Sequence, residues 1–163
     1  MEKDLEGVAT TAKIGTHPIH PMLIPFPIGL LSAGFACDFI FWITMSPFWA
    51  EAAFWSVLAG TVMTAVAALA GFTDFFGNAR IRQLRTAWEH MIGNVTVLLL
   101  SLISLWIRLA QGHEEAILPW GLLISALVVL LLFFTGWKGG ELVFNHRVGV
   151  QPSEPAARRL DKL

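Results

Sequence analysis

The fold class predicted is all-α: an integral membrane four-helix antiparallel bundle. Three observations predict it. The chain has 163 residues, of which 55% are hydrophobic and only 14% charged, with a mean hydropathy of +0.64. A soluble domain this short cannot bury so much apolar surface. The charges lie between long apolar runs rather than within them, and four of those runs reach the roughly 20 residues a bilayer crossing takes. Helices are the economical way across, because lipid satisfies no backbone N–H or C=O. The alternating segments of about ten residues that mark a membrane barrel are missing.

Residues 1–16 read as a polar N-terminal segment of mixed charge. No apolar run there precedes a small-residue cleavage site, so the first span is expected to act as an uncleaved insertion signal. The transmembrane unit is placed at 17–150, with spans at about 27–45, 51–76, 91–110 and 117–137. The first span follows a lead-in with prolines at 18, 21, 25 and 27. Proline lacks an N–H and biases the preceding residue toward extended backbone, so a stiff, partly extended segment is expected there. The second span carries Gly60, Thr64, Ala67, Gly71 and Asp74 at intervals of three and four, a spacing that lets helices approach closely in lipid. The third carries His90, Asn94, Val97, Ser101, Ser104 and Arg108 on one stripe, which should face the bundle interior. Ser101 and Ser104 are expected to bond a carbonyl one turn back. The fourth span runs out through Gly136, Gly139 and Gly140, which a tight helix exit explains without a cofactor. Short loops favour sequential antiparallel neighbours. Residues 151–163 read as a flexible charged tail near anionic lipid.

Four spans put both termini on one side. Of the 11 Lys and Arg residues, only Arg108 approaches the other side. The positive-inside rule then makes the basic side, with both termini, cytoplasmic, and the membrane a cell inner membrane. Trp42, Trp49, Trp55, Trp106 and Trp120 would form an outer aromatic belt, with Trp88 and Trp137 at the inner edge. Asp38 sits inside the outer end of the first span, where an ionised carboxylate needs a partner. Arg108 is the basic residue at comparable depth, so a structural Asp38–Arg108 ion pair is expected. Cys37 reads as a small packing residue. A net charge of −1 points to no nucleic-acid partner. No nucleophile with an adjacent base, phosphate loop or zinc-protease motif is present, so a non-catalytic membrane subunit is favoured over an enzyme.

Four of the five histidines fall at the inner face: His17, His20, His90 and His146, with Asp74, Glu89 and Glu141 nearby. Several separated motifs accompany them. His17-Pro18-Ile19-His20-Pro21 leads into Phe26-Pro27-Ile28-Gly29. Later come Gly71-Phe72-Thr73-Asp74, His90 with Asn94, and Gly136-Trp137-Lys138-Gly139-Gly140-Glu141-Leu142. Taken in order, from about His17 to Val150, they resemble the domain-of-unknown-function 2231 family of predicted membrane proteins. That resemblance implies a membrane protein and no established activity. Some relatives look fused to, or encoded beside, Rieske or cytochrome c domains, which hints at electron transfer. Many relatives carry a further histidine where this chain has Pro25, so no role for that histidine transfers.

Three readings of the cluster stay open. A b-type haem in an electron-transfer role needs two axial imidazoles; His90 is the favoured ligand, with His20 or His146 as its partner and His17 as a further candidate. A zinc or iron site would use His17, His20, His90, His146, Asp74 and Glu141, with Asn94 orienting a ligand. A structural or assembly subunit would hold no cofactor. Beyond the lipid bilayer, a redox protein or a second copy of the chain is the expected kind of partner. A weak internal repeat accompanies the cluster: His20 precedes Gly71-Phe72 much as His90 precedes Gly136-Trp137, each within a helical hairpin.

Overall fold

A computed structural model describes residues 7–150; the first six residues and the tail 151–163 lie outside the described residues. Four helices are long and apolar enough to cross a membrane: Ile19–Thr44, Pro47–Gly77, Arg85–Gln111 and Ile117–Phe144. All but the last begin several residues before the corresponding apolar run. The backbone ladder continues into the interface, where polar residues take over.

The proline-rich lead-in departs from expectation. A two-residue strand β1 (Lys13–Ile14) pairs antiparallel with β2 (His17–Pro18), so His17 is extended. Helix α1 (Ile19–Leu23) then starts at once, and α2 (Pro25–Thr44) follows it. Ile24 N–H donates to the His20 carbonyl at 3.2 Å and Ile28 N–H to the Ile24 carbonyl at 3.3 Å, so the path stays helical across the join. Pro21 and Pro25 fall in first-turn positions, where a missing N–H leaves no bond unmade. His20 is therefore helical, not extended.

Helix α3 (Pro47–Gly77) returns across the bundle, and a short α4 (Ala79–Arg82) turns the chain into α5 (Arg85–Gln111). A kinked turn, Ile117–Gly121, with extended backbone at Leu118, opens α6 (Leu122–Phe144). Helices α2 and α3 form one packed hairpin, α5 and α6 the other; α3 also packs on α5 and α2 on α6. That places α2 diagonally opposite α5, both running the same way. The apolar core is modest: Leu31, Val97, Val128 and Leu132 at mid-bundle, Phe75, Ile81, Ala87 and Leu142 near the histidine end. Most large apolar side chains, such as Leu69, Leu130 and Phe133, face outward, as lipid permits. Trp42, Trp55, Trp106 and Trp120 are likewise exposed, whereas Trp49 packs on Phe41, Ala50 and Ile117.

The two hairpins repeat each other. Pro27, Leu31, Gly34 and Asp38 are buried on α2, and Val97, Ser101, Ser104 and Arg108 are buried on α5. Each member of the second set follows its counterpart by the same 70 residues that separate Asp38 from Arg108. On the returning helices, Val57, Gly60, Thr64, Ala67 and Asp74 match Ser125, Val128, Leu132, Thr135 and Leu142, again at one constant offset. This pattern describes a pseudo-two-fold axis along the bundle, passing between α2 and α5. The small residues serve close contact: a Cβ on Gly60 would meet Leu31 at 2.8 Å. Interior hydroxyls of Thr61, Thr64 and Ser101 bond the carbonyl four residues back, at 2.7 to 2.8 Å, which removes their need for partners across the bundle.

Candidate functional site

The pseudo-axis ends, on the side of Gly7 and Val150, in two histidines. His20 comes from α1 and His90 from the first turns of α5. His20 Nδ1 lies 2.8 Å from the Ala67 carbonyl on α3, and His90 Nδ1 lies 2.9 Å from the Thr135 carbonyl on α6. A carbonyl only accepts, so each Nδ1 carries the ring proton, and each Nε2 is left with its lone pair. The rings face each other edge to face, with centroids 5.9 Å apart.

Glycine makes each seat possible. One turn beyond Ala67 stands Gly71, and one turn beyond Thr135 stands Gly139. A Cβ at Gly71 would come within 3.0 Å of His20 Cε1, and one at Gly139 within 3.1 Å of His90 Cε1. Each imidazole thus lies over a glycine notch with its N–H on the carbonyl four residues earlier. The counterpart of Gly71 in the repeat is Gly139, not the Gly136 read from the sequence. Helical phase decides this: Gly139 shares a face with Thr135, while Gly136 faces open space.

The two seats differ in one respect. Asn94 donates from Nδ2 to His90 Nε2 at 3.1 Å and to the His90 carbonyl at 2.9 Å. Ile24 occupies the equivalent place beside His20, so His20 Nε2 has no such donor from its own helix. The rings and Asn94 line a small enclosed hollow of about 40 Å³ and border a larger apolar cavity of about 370 Å³.

The other predicted inner-face residues do not join the pair. His17 lies in β2 and is exposed. His146 follows α6, its backbone N–H on the Glu141 carbonyl at 3.1 Å. Asp74 Oδ1 accepts the backbone N–H groups of Thr11 and Ala12, both at 2.7 Å. Asn78 donates to the Ala9 carbonyl at 2.8 Å, and Val8 is bridged to the 147–149 segment. Residues 8–12 therefore form a strap over the histidine end, and Asp74 is its main anchor. Glu89 and Glu141 share Lys138, at 3.1 and 3.0 Å, while Arg85 and Trp137 supply further donors. Among the described residues, no three His, Cys, Asp or Glu side chains converge to hold a metal ion.

At the opposite end of the axis, the structure brings Asp38 and Arg108 together, wholly buried. Arg108 Nη2 reaches the carboxylate at 2.8 and 2.6 Å, and Nη1 has no partner. Asp38 and Arg108 stand eighteen residues after His20 and His90, roughly 27 Å along each helix at 1.5 Å per residue. The fifth histidine, His113, sits at this end too. It stacks on Phe54 with centroids 3.9 Å apart and reaches Glu51 at 2.6 Å. Sequence reasoning passed over that contact, since nothing local to His113 signals a partner 62 residues away.

A family model described as a predicted membrane protein of unknown function matches residues 16–152, which includes every element from β2 to α6. No curated protein and no solved structure matches the chain.

Proposed function

We propose, for a chain that belongs to the domain-of-unknown-function 2231 family of predicted membrane proteins, that His20 and His90 form a two-imidazole site for a redox cofactor. The cofactor in this reading is b-type haem, and the role is electron transfer rather than catalysis. The observation that carries it is the pair itself. Each Nδ1–H is fixed on a backbone carbonyl, the arrangement that sets tautomer and orientation in ligating histidines. Each Nε2 is thereby the atom left to ligate. Iron held this way supplies one-electron transfer, tuned by its axial ligands and burial. His90 must exchange the Asn94 donor for the metal.

A bare zinc or iron ion is the second reading. The small enclosed hollow beside the rings and the Asn94 carboxamide favour it. In either case the site lies at the end of the bundle that carries Arg80, Arg82, Arg85, Lys138 and Arg147, so the positive-inside rule puts it, and both termini, at the cytoplasmic face of an inner membrane. Residues 17–150 act as one transmembrane unit.

The test is an absorption spectrum of the purified, detergent-solubilised protein, oxidised and dithionite-reduced, with metal analysis on the same sample. A sharp reduced α-band that is lost in both His20→Ala and His90→Ala, while the variants still insert, is the expected result. Colourless protein with one zinc or iron per chain replaces haem with the second reading. Neither signal, after expression with ample haem and metal, removes the cofactor and leaves a structural subunit.

A further inference from the structure

The geometry points to a binding site for a membrane quinol in the lipid-facing groove between α2 and α6. The groove is about 630 Å³ and is lined by Ile28, Ser32, Phe133, Trp137, Glu141 and Phe144 among others. Phe133, Trp137 and Phe144 are among the most exposed side chains of the bundle, so the groove opens to the bilayer.

Three features select the occupant. First, the groove borders the histidine cavity. Ile28 and Gly136 line it, and they also line the apolar cavity and the small hollow beside His20 and His90. Gly136 has nothing within 4 Å of where a Cβ would stand, so a side chain placed there would enter open space. Secondly, the strap that Asp74 holds lies at the histidine cavity, where Thr10 and Asp74 line the wall, and not at the groove, whose most exposed walls, Phe133 and Trp137, face lipid. Thirdly, the polar groups are concentrated at the inner end, where the Glu141 carboxylate accepts and the Asn145 carboxamide can accept or donate. Trp137 Nε1–H and Lys138 already donate to Glu141, one to each carboxylate oxygen. Each oxygen keeps a further lone pair for a hydroxyl donor. Flat aromatic walls, a carboxylate acceptor at the interface and an apolar run toward mid-bilayer fit a dihydroxy-aromatic ring with a hydrocarbon tail. The oxidised quinone offers no O–H to Glu141 and keeps only the neutral Asn145 amide as a donor, so it fits less well. The choice of a quinol over other amphiphilic phenols rests on the redox reading of the histidine pair; the groove and its acceptor do not.

The test uses the full-length protein in lipid nanodiscs without added quinone and a decyl-substituted benzoquinol kept reduced under argon. Saturable quenching of tryptophan fluorescence reads binding, with Trp137 in the groove as reporter. Ser32→Leu fills the groove from a position that does not line the histidine cavity, and Glu141→Gln weakens the acceptor. Gly136→Leu fills the border between groove and cavity at a helix position with open space around it. The expected result is saturable binding, at least tenfold tighter for quinol than for the matching quinone, and weakened tenfold or more by Ser32→Leu and by Glu141→Gln. Unchanged helical circular dichroism must accompany both. Equal affinity for an isoprenoid alcohol of the same tail length would overturn the assignment, since only a tail groove would remain. So would wild-type affinity in Ser32→Leu and Gly136→Leu. Absence of quinol binding in protein that shows the haem band overturns the quinol site and spares the histidine reading. Quinol binding in colourless protein supports the site and discards the haem.

Discussion

Breaking the Asp38–Arg108 pair should cost this protein more than any surface change. Both side chains are 0% exposed. Asp38→Ala leaves a buried guanidinium whose Nη1 is already unpartnered and whose remaining contact is Ser104 Oγ at 3.4 Å. Removing one member of a buried pair strands the other charge and destabilises by about 3–5 kcal/mol. At roughly 2–4 °C per kcal/mol for a chain of this size, the expected fall in Tm is on the order of 6–20 °C. Arg108→Met alone should do the same by stranding the carboxylate. The double variant, Asp38→Ala with Arg108→Met, removes both desolvation costs and should recover most of the loss. Thermal unfolding in one detergent, followed by tryptophan fluorescence, gives all four corners of the double-mutant cycle. Single variants within about 2 °C of wild type, or a double variant whose loss is the sum of the singles, would refute the reasoning. The pair would then be solvated or too weakly coupled to matter.

Other outcomes follow from the histidine end. Asp74→Ala removes two 2.7 Å bonds to the strap; at about 1.5–3 kcal/mol for each bond to a charged group, amide exchange at Thr11 and Ala12 should speed at least tenfold, with little change in the spans. Hydrogen exchange by mass spectrometry checks this, and unchanged protection would mean another contact holds the strap. Gly139→Val drives a branched side chain into the place of the His90 ring. If the pair holds the proposed haem, this should lower its content as His90→Ala is expected to, whereas Gly136→Ala, with open space around it, should not. The ratio of α-band to protein absorbance reads both, and equal effects of the two glycine changes would dismiss the notch.

What the sequence revealed and what it hid have physical reasons. The spans were legible because lipid imposes length and apolarity on each helix separately. Asp38 and Arg108 could be matched because charges at that depth are few, and the structure places them in contact. The strap was not legible: Asp74 bonds backbone N–H groups more than sixty residues away, and backbone donors leave no mark in a sequence. The same blindness hid that Asp74 anchors the strap and that Glu141 shares Lys138 with Glu89. The histidine lead-in was misread because prolines in a helix's first turn and prolines in an extended segment look alike until the helix start is known. The repeat was visible only faintly, because its members are chemically different: Leu31 answers to Ser101 and Ile24 to Asn94. It emerges once burial shows which face of each helix is shared.

That repeat bears on why the two halves reside in one polypeptide. Two identical hairpins assembled around a true two-fold axis would confront each other with the same residue at every axial position. A pair of histidines survives such symmetry. The pair at the other end does not, because identical subunits would set carboxylate against carboxylate, or guanidinium against guanidinium, within the hydrocarbon. Linking the halves through α4 lifts that restriction. One end of the axis can keep matched imidazoles while the other acquires opposite charges, and a single Asn94 can make the two imidazoles unequal. Covalent continuity thus gives the bundle a distinguishable left and right, which a homodimer of hairpins lacks.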